Sequence, residues 1–236
     1  MLKRSWDDAA VVFALLSIWI CAIMLSAEPD GNAREALRSA DTPRLLVIDP
    51  GHGGTDGGAV GAAGTVESRV NWAVSVRLRD ASLFLGIPAV MTRETEEIEY
   101  PDEARTIAAR KRWDTRQRAE RINGFDNALL VSVHQNYYPA AGPFGPQVLY
   151  SGAAKAGERV QKALTESLCP ACTRSAAPAG KEIYIMSHVS CPALLVECGF
   201  LSNGREEALL NSEPYQIKLA LVLSSSVQKI MGDGII

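Results

Sequence analysis

The stretch Leu45-Leu46-Val47-Ile48-Asp49-Pro50-Gly51-His52-Gly53-Gly54 passes from a continuous apolar run to a glycine-rich loop within ten residues. Four consecutive aliphatic side chains leave no polar face, which is the pattern of a strand buried on both sides. Glycines recur at positions 57, 58, 61 and 64, and Thr65 is placed to cap a following helix. In that helix Val66, Val70, Ala73, Val74, Leu78 and Ala81 fall at helical spacing, and Gly86 stops it.

The same alternation continues outward. Residues 87–92 read as a second strand. The charged stretch 93–112 leads into a helix that ends near Asn123 and Gly124. Further strands are predicted at 128–134, 147–150, 183–186 and 193–197, with helices at 155–168 and 215–231. Asn203, with Glu206 three residues on, marks the start of a short helix. Strands alternating with helices imply one α/β domain with a twisted, mostly parallel sheet flanked by helices, spanning 44–236. There is no internal repeat and no low-complexity tract.

Upstream, Lys3 and Arg4 precede an uncharged run at 9–27. Nineteen helical residues span about 28 Å, close to the bilayer core. Leu25-Ser26-Ala27 matches a cleavage site poorly, so residues 1–27 are expected to be an uncleaved membrane anchor, with a cleaved signal as the alternative. The two basic residues keep the N-terminus inside and place the rest outside. Residues 28–43 are polar and read as a linker.

A net charge of −3, from 24 basic and 27 acidic side chains, excludes nothing about small substrates but argues against a nucleic-acid binder, which needs a concentrated basic face. That balance equally gives no sign of attraction to a polyanionic wall polymer. Of five cysteines, Cys169 and Cys172 form one Cys-Pro-Ala-Cys pair. No second pair completes a zinc ribbon, and the motif lies too late in the chain for a thioredoxin-like redox site, so the pair reads as a disulfide or as idle thiols. Cys191 and Cys198 flank an apolar strand and read as small core side chains.

In open α/β sheets the functional groups collect beyond the carboxyl ends of the strands. The first strand runs into His52, the strand at 128–134 ends on His134 and that at 193–197 ends on Glu197. Glu67 opens the first helix. Two histidines and a carboxylate are a ligand set for catalytic zinc, with a further carboxylate free to move a proton. Each residue also has an ordinary alternative: a hydrogen-bonded strand-end histidine, a favourable charge at a helix start, a salt-bridge partner. Asp49 and Asp56 either orient ligand imidazoles or shape turns. Asn136 and Arg93 are candidate substrate contacts.

At these residues the chain resembles the zinc-dependent N-acetylmuramoyl-L-alanine amidases of bacterial cell walls. The resemblance is carried by Val47-Ile48-Asp49-Pro50-Gly51-His52-Gly53-Gly54 with Asp56-Gly57-Gly58-Ala59, by Glu67, by Met91-Thr92-Arg93 and by Val131-Ser132-Val133-His134-Gln135-Asn136. It ends with Pro192-Ala193-Leu194-Leu195-Val196-Glu197-Cys198-Gly199-Phe200-Leu201-Ser202-Asn203. It implies one zinc ion on His52, Glu67 and His134, Glu197 as catalytic acid/base, and peptidoglycan as substrate. The scissile bond it implies joins the lactyl group of N-acetylmuramic acid to L-alanine of the stem peptide.

Shorter blocks resemble the sporulation and germination branch of that family: Thr106-Ile107, Arg110-Lys111-Arg112, Asp114, Arg118, His134-Gln135-Asn136, Tyr184-Ile185-Met186 and Tyr215-Gln216-Ile217-Lys218-Leu219-Ala220. In that branch removal of the stem peptide prepares muramic acid for the cortex lactam. His188 matches no ligand position and reads as a structural side chain. No long helical insertion that could plug the site is evident between Glu67 and His134, so regulation falls to a protein partner or to expression. The competing expectations are a non-catalytic wall-binding protein on this fold and a zinc peptidase that cuts within the stem peptide.

Overall fold

The computed structural model describes residues 45–139 and 142–236. The predicted anchor (1–27) and linker (28–43) lie outside the described residues. The elements are β1 (Leu45–Pro50), α1 (Glu67–Phe84), β2 (Ala89–Met91), α2 (Ile107–Asn123), β3 (Ala128–Asn136) and β4 (Gln147–Ser151). They continue with α3 (Ala154–Leu168), β5 (Ala177–Pro178), α4 (Tyr184–His188), β6 (Ala193–Phe200), α5 (Gly204–Leu210) and α6 (Glu213–Gly232).

The six strands form one sheet in the order β2-β1-β3-β6-β4-β5. β2, β1, β3 and β6 are mutually parallel, while β4 runs antiparallel to β6 and parallel to β5. Both faces of the central strands are covered, as their unbroken apolar runs require. Leu46, Ile48, Leu129, Val131, Val133, Leu194 and Val196 point to one core, shared with Val70, Val74 and Leu78 of α1, Leu164 of α3 and Leu219 and Leu223 of α6. The alternate residues Val47, Ala128, Leu130, Ala193 and Leu195 face the other core with Ile122 of α2 and Ile185 and Met186 of α4. The period-two alternation of strand side chains thus assigns each helix to a face.

The α/β prediction holds, with local corrections. Residues 183–186 form no strand: the chain turns into the short helix α4 and buries the adjacent Ile185 and Met186 on the sheet. A four-residue apolar run does not distinguish a strand from one helical turn. The edge strand is instead the pair Ala177–Pro178, too short to leave a sequence pattern. The N-cap of α1 is Val66 rather than Thr65, and no side chain caps it. Backbone carbonyls of the glycine loop do so, with Ala59 accepting from the Glu67 N–H and Gly57 from that of Ser68. At α5, Asn203 accepts from the Arg205 and Glu206 N–H groups as predicted.

Candidate metal centre and active site

The parallel strands bring the predicted residues to one end of the sheet. His134 and Glu197 are direct cross-strand neighbours on β3 and β6. Both strands continue past them, to Asn136 and Phe200, so these side chains lie within strands near their carboxyl ends. His52 stands just beyond β1 in the left-handed backbone region, φ 59°, which a non-glycine residue adopts only at a cost. Arg93 supports that conformation: its Nη2 donates to the carbonyls of Pro50 and His52, and its Nη1 to those of Thr95 and Glu96. The guanidinium also stacks over Trp72.

Glu67 Oε1 lies 3.4 Å from His52 Nε2 and 3.2 Å from His134 Nδ1. One donor atom from each of the three residues falls within 4.8 Å of the others. Ligands around a tetrahedral zinc stand roughly 3.4 Å apart for bonds of about 2.1 Å. The backbone has been cleared for this cluster. A Cβ at Gly51 would meet the His134 ring at 2.2 Å, and one at Gly58 would meet Glu67 Oε2 at 2.4 Å and His52 at 2.9 Å. The three side chains could therefore hold a metal ion.

Further contacts fix the cluster. Asp56 Oδ2 lies 2.8 Å from His52 Nδ1, which turns Nε2 toward Glu67. Lys111 pairs with the same carboxylate at 3.1 Å. Glu67 accepts from the backbone N–H of Ala59 and Gln135, and Asn71 donates to it from one turn along α1. Burial pulls the His52 imidazolium down, but Asp56 and Glu67 outweigh this and push it up to about 9. Burial raises both carboxyls, yet His52 and Lys111 hold Asp56, and His134 and His52 hold Glu67, well below the usual carboxylate range. The cluster as a whole favours bound positive charge.

Glu197 is electrostatically different. Its Oε2 is buried with no hydrogen-bond partner among the described residues. Burial, with Glu67 adding to it, pushes this carboxyl above the usual range against the pull of His134 and His52.

Of the other predicted residues, Asp56 meets an imidazole, whereas Asp49 does not: it is fully buried and bonded to Arg118, Thr92 and Ser132. Arg93 and Asn136 are not among the residues lining the cleft beside the histidines. His188 is exposed, stacked on Tyr184 at 3.7 Å, and outside the cluster. Cys169 and Cys172 are disulfide-bonded, and Cys198 lies in the core. The supporting pair Asn71 and Gln135, joined at 3.1 Å, went unread in the sequence; the i, i+4 spacing of Glu67 and Asn71 on one helix face was the available signal.

The N-acetylmuramoyl-L-alanine amidase family model matches residues 46–229, nearly all of the described fold. The chain belongs to this family. It is an amide hydrolase, an N-acetylmuramoyl-L-alanine amidase. It is 36% identical over 179 residues to the germination-specific N-acetylmuramoyl-L-alanine amidase of Bacillus subtilis, covering 75% of each chain. Among solved structures it is similar to the CwlD amidase of Clostridioides difficile in complex with the GerS lipoprotein, with a TM-score of 0.75 and 29% identity over 79% of this chain and 97% of that one. The amidase AmiC2 of Nostoc punctiforme matches with a TM-score of 0.66 and 26% identity, over 78% of this chain and 95% of that one.

Proposed function

We propose that the amidase cleaves the bond between the lactyl group of N-acetylmuramic acid and L-alanine in peptidoglycan, with zinc on His52, Glu67 and His134 and with Glu197 as the acid/base. The observation that carries this reading is a Glu197 carboxylate, one oxygen of it buried without a partner, directly across the strand pair from His134. A zinc ion held there supplies Lewis acidity toward the amide carbonyl and toward water. Glu197 takes a proton from the attacking water and delivers it to the departing alanine nitrogen as the C–N bond breaks. Its raised pKa suits both halves of that transfer. Asp56 keeps Nε2 of His52 as the free donor atom, and Arg93 holds the loop that carries His52.

Metal analysis of the purified chain against His52→Ala tests the ligand set; equal zinc in both removes His52 from it. Mass spectrometry of a peptidoglycan digest tests the bond. Intact stem peptides are expected, while free terminal amino acids would support a peptidase and no products a wall-binding protein.

The similarity to a germination-specific amidase supports a role in spore cortex maturation, where loss of the stem peptide precedes lactam formation. Muropeptide analysis of spores lacking the protein would then show muramic lactam replaced by peptide-bearing muramic acid. The CwlD structure, which holds the GerS lipoprotein, supports a protein partner for this chain as well. The setting is extracytoplasmic, with residues 1–27 as anchor, 28–43 as linker and 44–236 as the catalytic domain. No helix among the described residues is long and apolar enough to cross a membrane. Deletion of 1–27 is expected to move the protein from the membrane to the soluble fraction.

A further inference from the structure

A cleft of about 550 Å³ opens beside His52 and His134. One wall is α2, which presents Ala108, Lys111, Arg112, Thr115 and Arg116 at the i, i+3, i+4, i+7, i+8 positions of a single helix face. α2 holds six basic residues against two acidic ones, in a chain whose net charge is −3. Four of the six cations are engaged. Arg110 stacks over Tyr100 and donates to the Ala104 carbonyl, and Lys111 pairs with Asp56. Arg118 is spent on Asp49 and Asp114, and Arg121 pairs with Glu94. The remaining two, Arg112 and Arg116, have no ion pair among the described residues, and both line the cleft.

We infer that Arg112 and Arg116 recognise free carboxylates of the stem peptide, so that the substrate lies with its peptide along α2 and its sugar toward the opposite wall at Glu182, Ile183 and Tyr184. This rests on the amidase reading above, and the chemistry of the substrate supplies the direction. The one carboxyl group of N-acetylmuramic acid is consumed in the scissile amide, so the sugar side of that bond is uncharged. The anionic groups lie on the peptide side. Four residues of helix separate Arg112 and Arg116 by about 6 Å of axial rise. One or two residues of extended peptide cover about 3.5–7 Å, and a glutamate linked through its side chain adds to that, so the pair can meet carboxylates on neighbouring stem residues. Both guanidiniums are exposed, so each contact changes affinity by about fivefold at most and weakens with salt.

The test compares two muramoyl peptides that differ only at the second stem residue, glutamate with its α-carboxylate free or amidated. Their binding to the zinc-loaded full chain carrying Glu197→Gln, which turns over too slowly to consume them during the titration, is measured by calorimetry. The free acid is expected to bind about fivefold tighter at low salt. That preference should vanish in Glu197→Gln with Arg112→Gln and Arg116→Gln, and should survive largely with Arg112→Lys and Arg116→Lys. Equal affinity for the two peptides, or a preference that the glutamine variants leave unchanged, overturns the assignment. Hydrolysis by the unmodified chain is read separately. Cleavage without preference sinks the α2 assignment alone, and preference without cleavage supports it while sinking the reaction.

Discussion

Asp49 and Glu197 are two carboxylates near the carboxyl ends of parallel strands, with β3 between them, and each has at least one oxygen enclosed by the fold, yet they are completed in opposite ways. Asp49 accepts from Arg118, Ser132 and Thr92, at 2.8 to 3.0 Å. These partners come from α2, from β3 and from the end of β2, so one carboxylate ties three strands and a helix together. Burial alone would raise its pKa, but Arg118 and the two hydroxyls hold it below the ordinary value. Glu197 is half-buried, and its enclosed oxygen Oε2 has no partner among the described residues. A buried charge is tolerated when it is paired and is costly when it is not. The molecule completes one acid for stability and leaves the other incomplete, and the incomplete one faces the candidate metal cluster.

The largest effect expected on this contrast comes from Glu197→Gln. Hydrolysis of peptidoglycan should fall on the order of a thousandfold, the scale of a lost general acid/base. Stability in denaturant should hold or rise, because the change removes a carboxylate whose enclosed oxygen has no partner. A variant that loses activity and also unfolds easily would mean that Glu197 is structural after all.

Arg118→Met tests the other side. It strands Asp49 as an uncompensated buried charge, and the expected loss is about 3–5 kcal/mol of unfolding free energy at neutral pH. The sign of the pH dependence follows from the lowered Asp49 pKa. In the parent chain this group's contribution is full above the ordinary value of 3.8 and is lost as pH falls through the lower folded value. Asp114, raised by burial, works the other way. In Arg118→Met the dependence on Asp49 inverts, because the stranded carboxyl gains by taking up a proton. Urea unfolding at pH 7 and pH 4 should therefore show the variant's deficit shrinking in acid. A deficit that grows instead breaks the comparison.

A smaller effect is expected of Gly58→Ala. Gly58 has φ 69°, and an added Cβ would meet Glu67 Oε2 at 2.4 Å. Backbone strain of this kind costs about 1–3 kcal/mol, and the displaced carboxylate should lower zinc content measured on the purified protein. Unchanged zinc content would show that Glu67 is not held by this loop in the way its distances imply.

How much of this was legible follows from how local each signal is. The strand that ends at Pro50, the glycine loop and the helix opened by Glu67 are contiguous, so their patterns could be read directly. His134 and Glu197 were legible because apolar runs lead up to them. The fate of Asp49 was not, since its partners lie 43, 69 and 83 positions away and nothing local distinguishes it from a turn aspartate. The contacts of Arg93 were hidden for the same reason: the carbonyls it holds belong to a loop some 40 residues earlier. The whole-chain charge concealed the cationic face of α2, because the acidic residues that balance it lie elsewhere.

The smallest effect on chemistry should come from the far edge of the sheet, where β4 runs against the parallel strands. There Cys172 packs beside Gly145, and a Cβ at that glycine would meet its sulfur at 2.0 Å. The disulfide from Cys169 closes a loop only three residues apart in sequence. Chain entropy therefore gives it roughly 2 kcal/mol, near the low end for a disulfide. Neither cysteine lines the cleft. Replacing both by serine should lower the thermal midpoint by several degrees while kcat and zinc content stay within about twofold of the parent. A loss of activity as large as that of Glu197→Gln would mean that the edge shapes the centre, and the contrast between the two carboxylates would then no longer explain where function resides.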